Sequence, residues 1–271
     1  MNIFDTHAHY TDKRFAADQA QVLRDLPGRG VALVLTCGSD VQDSRAALAL
    51  AHEYPYIYAA CGVHPHEAAG VRDQESGELR GLIKDERCVA VGEIGLDYHY
   101  DFSPREVQRD VFRRQLELAR ELNMPVIVHD REAHKDTLQI LRAFYSPRPD
   151  SCSLMPDSLI PDSSPGVMHC FSGCLEFARE ILALGFYLSF GGSVTFKNAR
   201  RPLAVAAAIP LERLLLETDA PYMAPEPFRG QRCESPHIAH IAEAIAAARG
   251  VDTQALIDIC NQNGRRLFFG E

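Results

Sequence analysis

No apolar run in this chain approaches the roughly 18 residues needed to cross a bilayer. The first strand-like segment begins within two residues of Met1, which leaves no basic stretch followed by an apolar signal region. The expectation is a cytoplasmic protein with no membrane contact. Cys-x-x-Cys is also missing. Eight cysteines are present (Cys37, Cys61, Cys88, Cys152, Cys170, Cys174, Cys233 and Cys260), and the closest pair, Cys170 and Cys174, flanks Phe171-Ser172-Gly173. A zinc ribbon has little support, and reduced, buried thiols are expected. Neither a Gly-x-Ser-x-Gly elbow nor a Gly-x-x-x-x-Gly-Lys phosphate loop occurs, so serine-nucleophile and P-loop chemistry are poorly served. Basic charge is short as well: 28 Lys and Arg stand against 37 Asp and Glu, a net charge of −9. That disfavours a broad basic nucleic-acid surface, which must neutralise many phosphates. A phosphate substrate held through bound cations remains open.

What the chain does have is alternation. Its 271 residues, 46% hydrophobic, match the length of about 250 typical of one eight-stranded α/β barrel. Apolar extended runs lie at 2–6, 32–36, 56–61, 88–92, 125–128, 166–168, 186–190 and 214–217, with helix-period segments at 16–26, 44–53, 105–122, 137–144, 175–184 and 201–208. Segments 238–248 and 253–261 read as covering helices. This order predicts a (β/α)8 TIM barrel of the metal-dependent hydrolase type, one domain spanning 1–271. Residues 146–164, with four prolines and six serines, predict a surface insertion away from the chemistry.

Six residues able to bind metal follow five of these runs: His7 and His9, Glu93, His129, His169 and Asp219. Side chains at i and i+2 of a strand share a face, so His7 and His9 can grip one ion. Barrels gather reactive groups at the C-terminal ends of their strands, so all six should converge on one mouth. Four imidazoles and two carboxylates exceed the three protein ligands of a single tetrahedral catalytic ion. They suit two divalent ions with Glu93 between them and a two-metal-activated water as nucleophile. Mg2+, Mn2+ and Zn2+ all fit such a mixed donor set.

Together with Asp5-Thr6-His7-Ala8-His9, Gly62-Val63-His64-Pro65-His66, Gly92-Glu93-Ile94-Gly95-Leu96-Asp97-Tyr98, His169-Cys170-Phe171-Ser172-Gly173, Leu216-Glu217-Thr218-Asp219-Ala220-Pro221-Tyr222 and Asn263-Gly264-Arg265-Arg266-Leu267-Phe268, the chain resembles the TatD family of metal-dependent deoxyribonucleases. The resemblance runs nearly end to end. It implies one metal on His7, His9 and Asp219, a second on His129 and His169, and Glu93 bridging, with Glu93 and Asp219 the catalytic carboxylates. It also implies a 3′-5′ exodeoxyribonuclease acting on DNA, with single strands or 3′ ends as substrate. His64 is expected to contact substrate phosphate, and Arg229 is a further candidate, since a guanidinium donates two parallel hydrogen bonds to phosphate.

Three positions depart from the family pattern. Ala8 replaces a common Cys at a position expected to face away from the site. Asp130 replaces Ser and could add a carboxylate near the metals. The loop sequence Arg232-Cys233-Glu234-Ser235-Pro236 keeps only part of the usual Arg-Asn-Glu-Pro. His66 is expected to be a solvent-facing loop residue, and Tyr98, His99, Tyr100 and Phe102, whose faces could stack on unpaired bases of a single strand, are expected instead to pack their loop onto the barrel. The competing reading is an amide, ester or lactone hydrolase on the same barrel, aminoacyl proofreading included. Many such enzymes bridge their metals with a carboxylated Lys on the fourth strand, and no Lys stands at any strand end here. Oligomeric state is left open by the sequence.

Overall fold

The computed structural model describes residues 1–71, 73–145, 165–198 and 200–271. Eight parallel strands pair in sequence order: β1 (Ile3–Ala8), β2 (Val31–Cys37), β3 (Ile57–Cys61), β4 (Cys88–Asp97), β5 (Val126–Arg131), β6 (Gly166–Met168), β7 (Tyr187–Phe190) and β8 (Leu214–Leu216). The ring closes beyond β8, where the Asp219 amide donates to the His7 carbonyl at 2.9 Å and Ala8 bridges Ala220 in parallel. The result is the expected TIM barrel.

Around it lie α1 (Gln19–Asp25), α2 (Val41–Glu53), α3 (Asp73–Ile83), α4 (Arg105–Glu121), α5 (His134–Phe144), α6 (Leu175–Ala183) and α7 (Arg200–Ala208), followed by α8 (Ile238–Arg249) and α9 (Thr253–Phe269). Helix α3 has no counterpart among the segments read from sequence. Helix α9 runs eight residues past its expected end at 261, through Gly264. Glycine is needed there: an added Cβ would sit 2.6 Å from Phe4 Cδ1. The close approach lets the end of α9 plug the N-terminal opening of the barrel, with Phe268 edge-on to Phe4 at 6.0 Å and Phe269 stacked on it at 6.1 Å. With that end closed, the opposite mouth is left for chemistry.

Two apolar layers sit on either side of the sheet. Phe4, Leu35, Ala60, Ala90, Ile127, Val167, Tyr187 and Leu215 fill the inside, while alternate strand residues such as Val34, Val91 and Val128 meet the helices. Alternation carries the inner row upward in β5, β6 and β8, from Ile127 to His129, Val167 to His169, and Leu215 to Glu217 and Asp219. Strands β1 and β4 reach the site differently. In β1, Asp5 pairs with Val34 and Ala8 with Thr36; in β4, Val91 pairs with Val126 and Ile94 with Val128. Three residues therefore span two on the neighbour, a bulge that reverses which side chains face inward. It brings His7 and Glu93 into the barrel although Phe4 and Ala90 already point there. Ala8, as expected, is buried in the layer facing the helices.

The expected insertion at 146–164 and Cys152 lie outside the described residues. The other seven cysteines are free thiols, five of them buried. Among the described residues, no helix is long and apolar enough to cross a membrane.

Candidate metal centre

The six predicted donors meet at the C-terminal mouth of the barrel. Glu93 is almost fully buried at their centre, and its two oxygens face different partners. Oε2 lies 3.3 Å from His7 Nε2 and 3.4 Å from His9 Nε2. Asp219 Oδ1 stands 3.7 and 3.4 Å from the same two nitrogens. Oε1 lies 2.8 Å from His129 Nδ1, 3.0 Å from His169 Nε2 and 3.6 Å from His64 Nε2. Atoms held about 2.1 Å from a shared ion in a tetrahedral array stand ~3.4 Å apart. The His7, His9, Asp219 and Glu93 set meets that spacing.

The outer nitrogens decide which imidazoles can offer a lone pair. These protonation assignments follow from the hydrogen-bond network. His9 Nδ1 donates to the Cys37 carbonyl at 3.0 Å, which leaves the Nε2 lone pair free for a cation held between it and the two carboxylates. His169 Nδ1 lies 3.2 Å from Glu217 Oε1, so its Nε2 is likewise left for the site. His129 turns the other way round, with Nε2 3.2 Å from Asp97 Oδ2 and Nδ1 toward Glu93. His7 Nδ1 sits 3.4 Å from Cys37 Sγ. His9, His129 and His169 thus have a carbonyl or carboxylate behind the outer nitrogen, which is how ligating imidazoles are held. His64 has the opposite polarity: its Nδ1 accepts the His66 amide at 3.2 Å, so the hydrogen is on Nε2. In that tautomer it donates to an oxygen, although it also stands within ligand reach of Glu93 and His129.

Electrostatics point the same way. Burial opposes charge on His9, yet Asp219 and Glu93 outweigh it and push its pKa up to about 10. His169 is raised well above the usual imidazole value, against burial, by Glu93 and Glu217. Glu93 itself is held well below the carboxylate range despite burial, by His169, His64, His7 and His129. Two carboxylates that face the same pair of imidazole nitrogens call for positive charge in their midst, which a divalent cation would supply.

Several contributors carried no sequence signal of their own. Asp97, four residues after Glu93, accepts from both His129 and His66, the latter at 2.9 Å. Its position inside the Gly-Glu-Ile-Gly-Leu-Asp segment was the available cue. Glu217 follows β8 directly and accepts the Cys170 amide at 2.6 Å. Asp5, fully buried, takes hydrogen bonds from the Thr218 hydroxyl at 2.6 Å and the Ser235 hydroxyl at 2.7 Å; burial, only partly offset by these bonds, pushes its pKa up to about 7. It ties β1 to the turn that carries Asp219.

Other expectations are corrected. His66 is not solvent-facing: its side chain is 23% exposed and pinned to Asp97. Asp130 turns from the donor cluster, because its carboxylate accepts the Ala133 amide and lies 3.0 Å from His134 Nδ1 at the start of α5. Arg232 and Glu234 knit their loop to α1 and its flanks, through Asp18 and Arg29. Arg229 is exposed, its guanidinium 4.3 Å over the Phe196 ring, and is not among the residues lining the cleft. The cleft, about 610 Å³, is lined instead by His9, His64, His66, Asp97, Tyr100 and Arg131 among others.

The sequence pattern of the family described as TatD related DNase matches residues 4–269. The chain belongs to that family. A metal-dependent hydrolase of Bacillus subtilis strain 168 is 39% identical, the match covering 98% of both chains. An enzyme of Cronobacter sakazakii named 3′-5′ ssDNA/RNA exonuclease TatD is 35% identical over 98% of this chain and 97% of its own. The crystal structure of a TatD homologue from Escherichia coli K12 superposes with a TM-score of 0.86 at 30% identity, covering 98% of this chain and 97% of that one. This TatD-family chain is a metal-dependent hydrolase, and its cluster of imidazoles and carboxylates fits that class.

Proposed function

We propose that this protein hydrolyses phosphodiester bonds of DNA, working from a 3′ end, with two divalent cations held on either side of Glu93. The carrying observation is the division of the Glu93 carboxylate: Oε2 faces His7 and His9, which Asp219 also approaches, while Oε1 faces His129, His169 and His64. The relatives named as exonucleases support the substrate class. Two cations so placed would lower the pKa of a water and neutralise charge on the attacked phosphoryl group and leaving oxygen.

The protein's own groups do the rest. Asp219, with 17% of its side chain exposed, reaches the cleft while Glu93 is buried at 3%, so Asp219 is the group placed to take the proton of the attacking water. His64, neutral because burial holds its pKa well below the usual value, points its Nε2–H into the same space and donates to a phosphate oxygen. Asp97 and Glu217 fix the rings of His129 and His169.

The test is an assay of metal-stripped protein with Mg2+, Mn2+ and Zn2+ restored singly, against a 3′-labelled and a 5′-labelled single-stranded oligonucleotide and a panel of amides and lactones. Stepwise shortening from the 3′ end is expected. Turnover confined to amides or lactones overturns the proposal.

A further inference from the structure

The metal centre leaves two rings at the rim of its cleft without an explanation. Phe102 is 68% exposed and Tyr100 47%. Packing of their loop accounts for Tyr98, whose hydroxyl donates to Asp136 at 2.7 Å beneath the Arg105 guanidinium. It does not account for the other two. Their rings stack on each other at 5.3 Å and 23°, Arg131 lies 4.7 Å over Tyr100, and the His66 ring meets Phe102 at 4.8 Å and 64°. Phe102 is thus held in place by the rings of Tyr100 and His66 while most of its surface stays in water. An aromatic side chain left in water forgoes the gain of burial, a cost that packing does not offset here.

Its position is informative. Tyr100, Arg131 and His66 line the same cleft as His129 and Glu93, so Phe102 stands one ring behind the wall of the metal centre. We propose that Phe102, backed by Tyr100, Arg131 and His66, is the stacking surface for one unpaired base next to the scissile phosphate. This rests on the phosphodiester reading above. Aromatic faces bind bases of any identity and contribute about 1–3 kcal/mol per base, which suits an enzyme that must advance along a strand of arbitrary sequence. The net charge of −9 strengthens the case: a chain with few spare cations cannot hold a strand by its phosphates alone, and stacking supplies affinity without charge. A base inside a duplex has both faces covered. The surface therefore selects single strands and frayed ends.

The experiment measures KM and kcat for single-stranded oligonucleotides that each carry one abasic tetrahydrofuran residue, placed first to fourth from the 3′ end. For the wild type, one position is expected to raise KM about 5- to 150-fold, the range that stacking of one base gives. Phe102→Ala should raise KM on the intact strand by a similar factor, keep kcat and metal content, and lose its sensitivity to that one abasic position. Phe102→Trp should restore both. Independent, multiplying losses from Phe102→Ala and the abasic residue, or a loss in kcat alone, overturn the stacking surface while leaving phosphodiester hydrolysis standing. Failure of the wild type to cut the intact strand with any of the three metals overturns the hydrolysis reading and this proposal with it.

Discussion

Glu217 Oε1 lies 3.2 Å from His169 Nδ1 and also receives the Cys170 amide, so a fully buried carboxylate locks one imidazole in the orientation that aims its Nε2 at Glu93. The carboxylate never touches the cleft, yet the tautomer of His169 depends on it. Substitution of a group in this supporting role typically lowers metal affinity or activity 10- to 100-fold. Glu217→Gln should therefore weaken metal binding by about that factor in a competitive chelator titration, with the circular dichroism of the folded protein retained. Undiminished affinity would assign Glu217 a purely structural part.

Asp219→Asn keeps size and most contacts but removes the base. Loss of a positioned general base costs about 10²- to 10⁴-fold in rate, so kcat on an oligonucleotide should fall by that much with the fold intact. Glu93→Gln should differ in kind, reducing the number of metal ions retained per chain as read by elemental analysis. Two ions kept by Glu93→Gln would refute the bridging role.

His64 and His129 flank the same Glu93 oxygen but present opposite polarity. His129→Ala should lower metal content. His64→Ala should leave it unchanged and weaken turnover of the phosphodiester, and His64→Gln, which keeps a donor, should recover part of the loss. Metal depletion in His64→Ala would show that the ring coordinates rather than donates.

His134 is 40% exposed and its pKa is raised, chiefly by its hydrogen bond to Asp130. A raised imidazole pKa contributes stability that is fully present below the unfolded value of about 6.5 and fades as pH rises through the folded value. Asp130→Asn, which can still accept the Ala133 amide, should destabilise the protein at pH 5.5, by less than about 1 kcal/mol for so exposed a pair, and hardly at pH 9. Urea midpoints at the two pH values check the sign. A larger deficit at pH 9 would reverse the assignment.

Gly264→Ala places a methyl group against Phe4 at the base of the barrel. Overpacking of this kind costs about 1–3 kcal/mol. The thermal midpoint should drop while KM for an oligonucleotide stays at the wild-type value, since the substitution is at the end of the barrel away from the cleft.

The barrel was legible because its strands are short apolar runs and most of its helices carry a clear period, so count and order followed. The six donors were legible for the same reason, each standing just past such a run. Helix α3 was missed because Asp73-Gln74-Glu75-Ser76-Gly77-Glu78 opens with polar residues and a glycine, and only Leu79, Leu82 and Ile83 mark an inner face. The end of α9 was missed because a glycine inside a helix reads as a stop unless the ring it approaches is known. Asp97, Glu217 and Asp5 escaped notice because supporting carboxylates have no spacing rule: their partners are 32, 48 and 213 residues away in the chain. Arg229 had charge and place in a loop to recommend it, and neither specifies which way a loop turns.

The bulges in β1 and β4 have a consequence for how this chain can change. Each inward donor of those strands owes its direction to one surplus residue, so the two segments count residues rather than merely tolerate types. Regular pairing of Asp5–Ala8 or Val91–Ile94 at unchanged length, without the bulge, would shift the alternation by one residue and turn His7 or Glu93 toward the helices. Point replacements on the outer face can accumulate in these strands, whereas a change that straightens a bulge would turn a central donor out of the site in a single step.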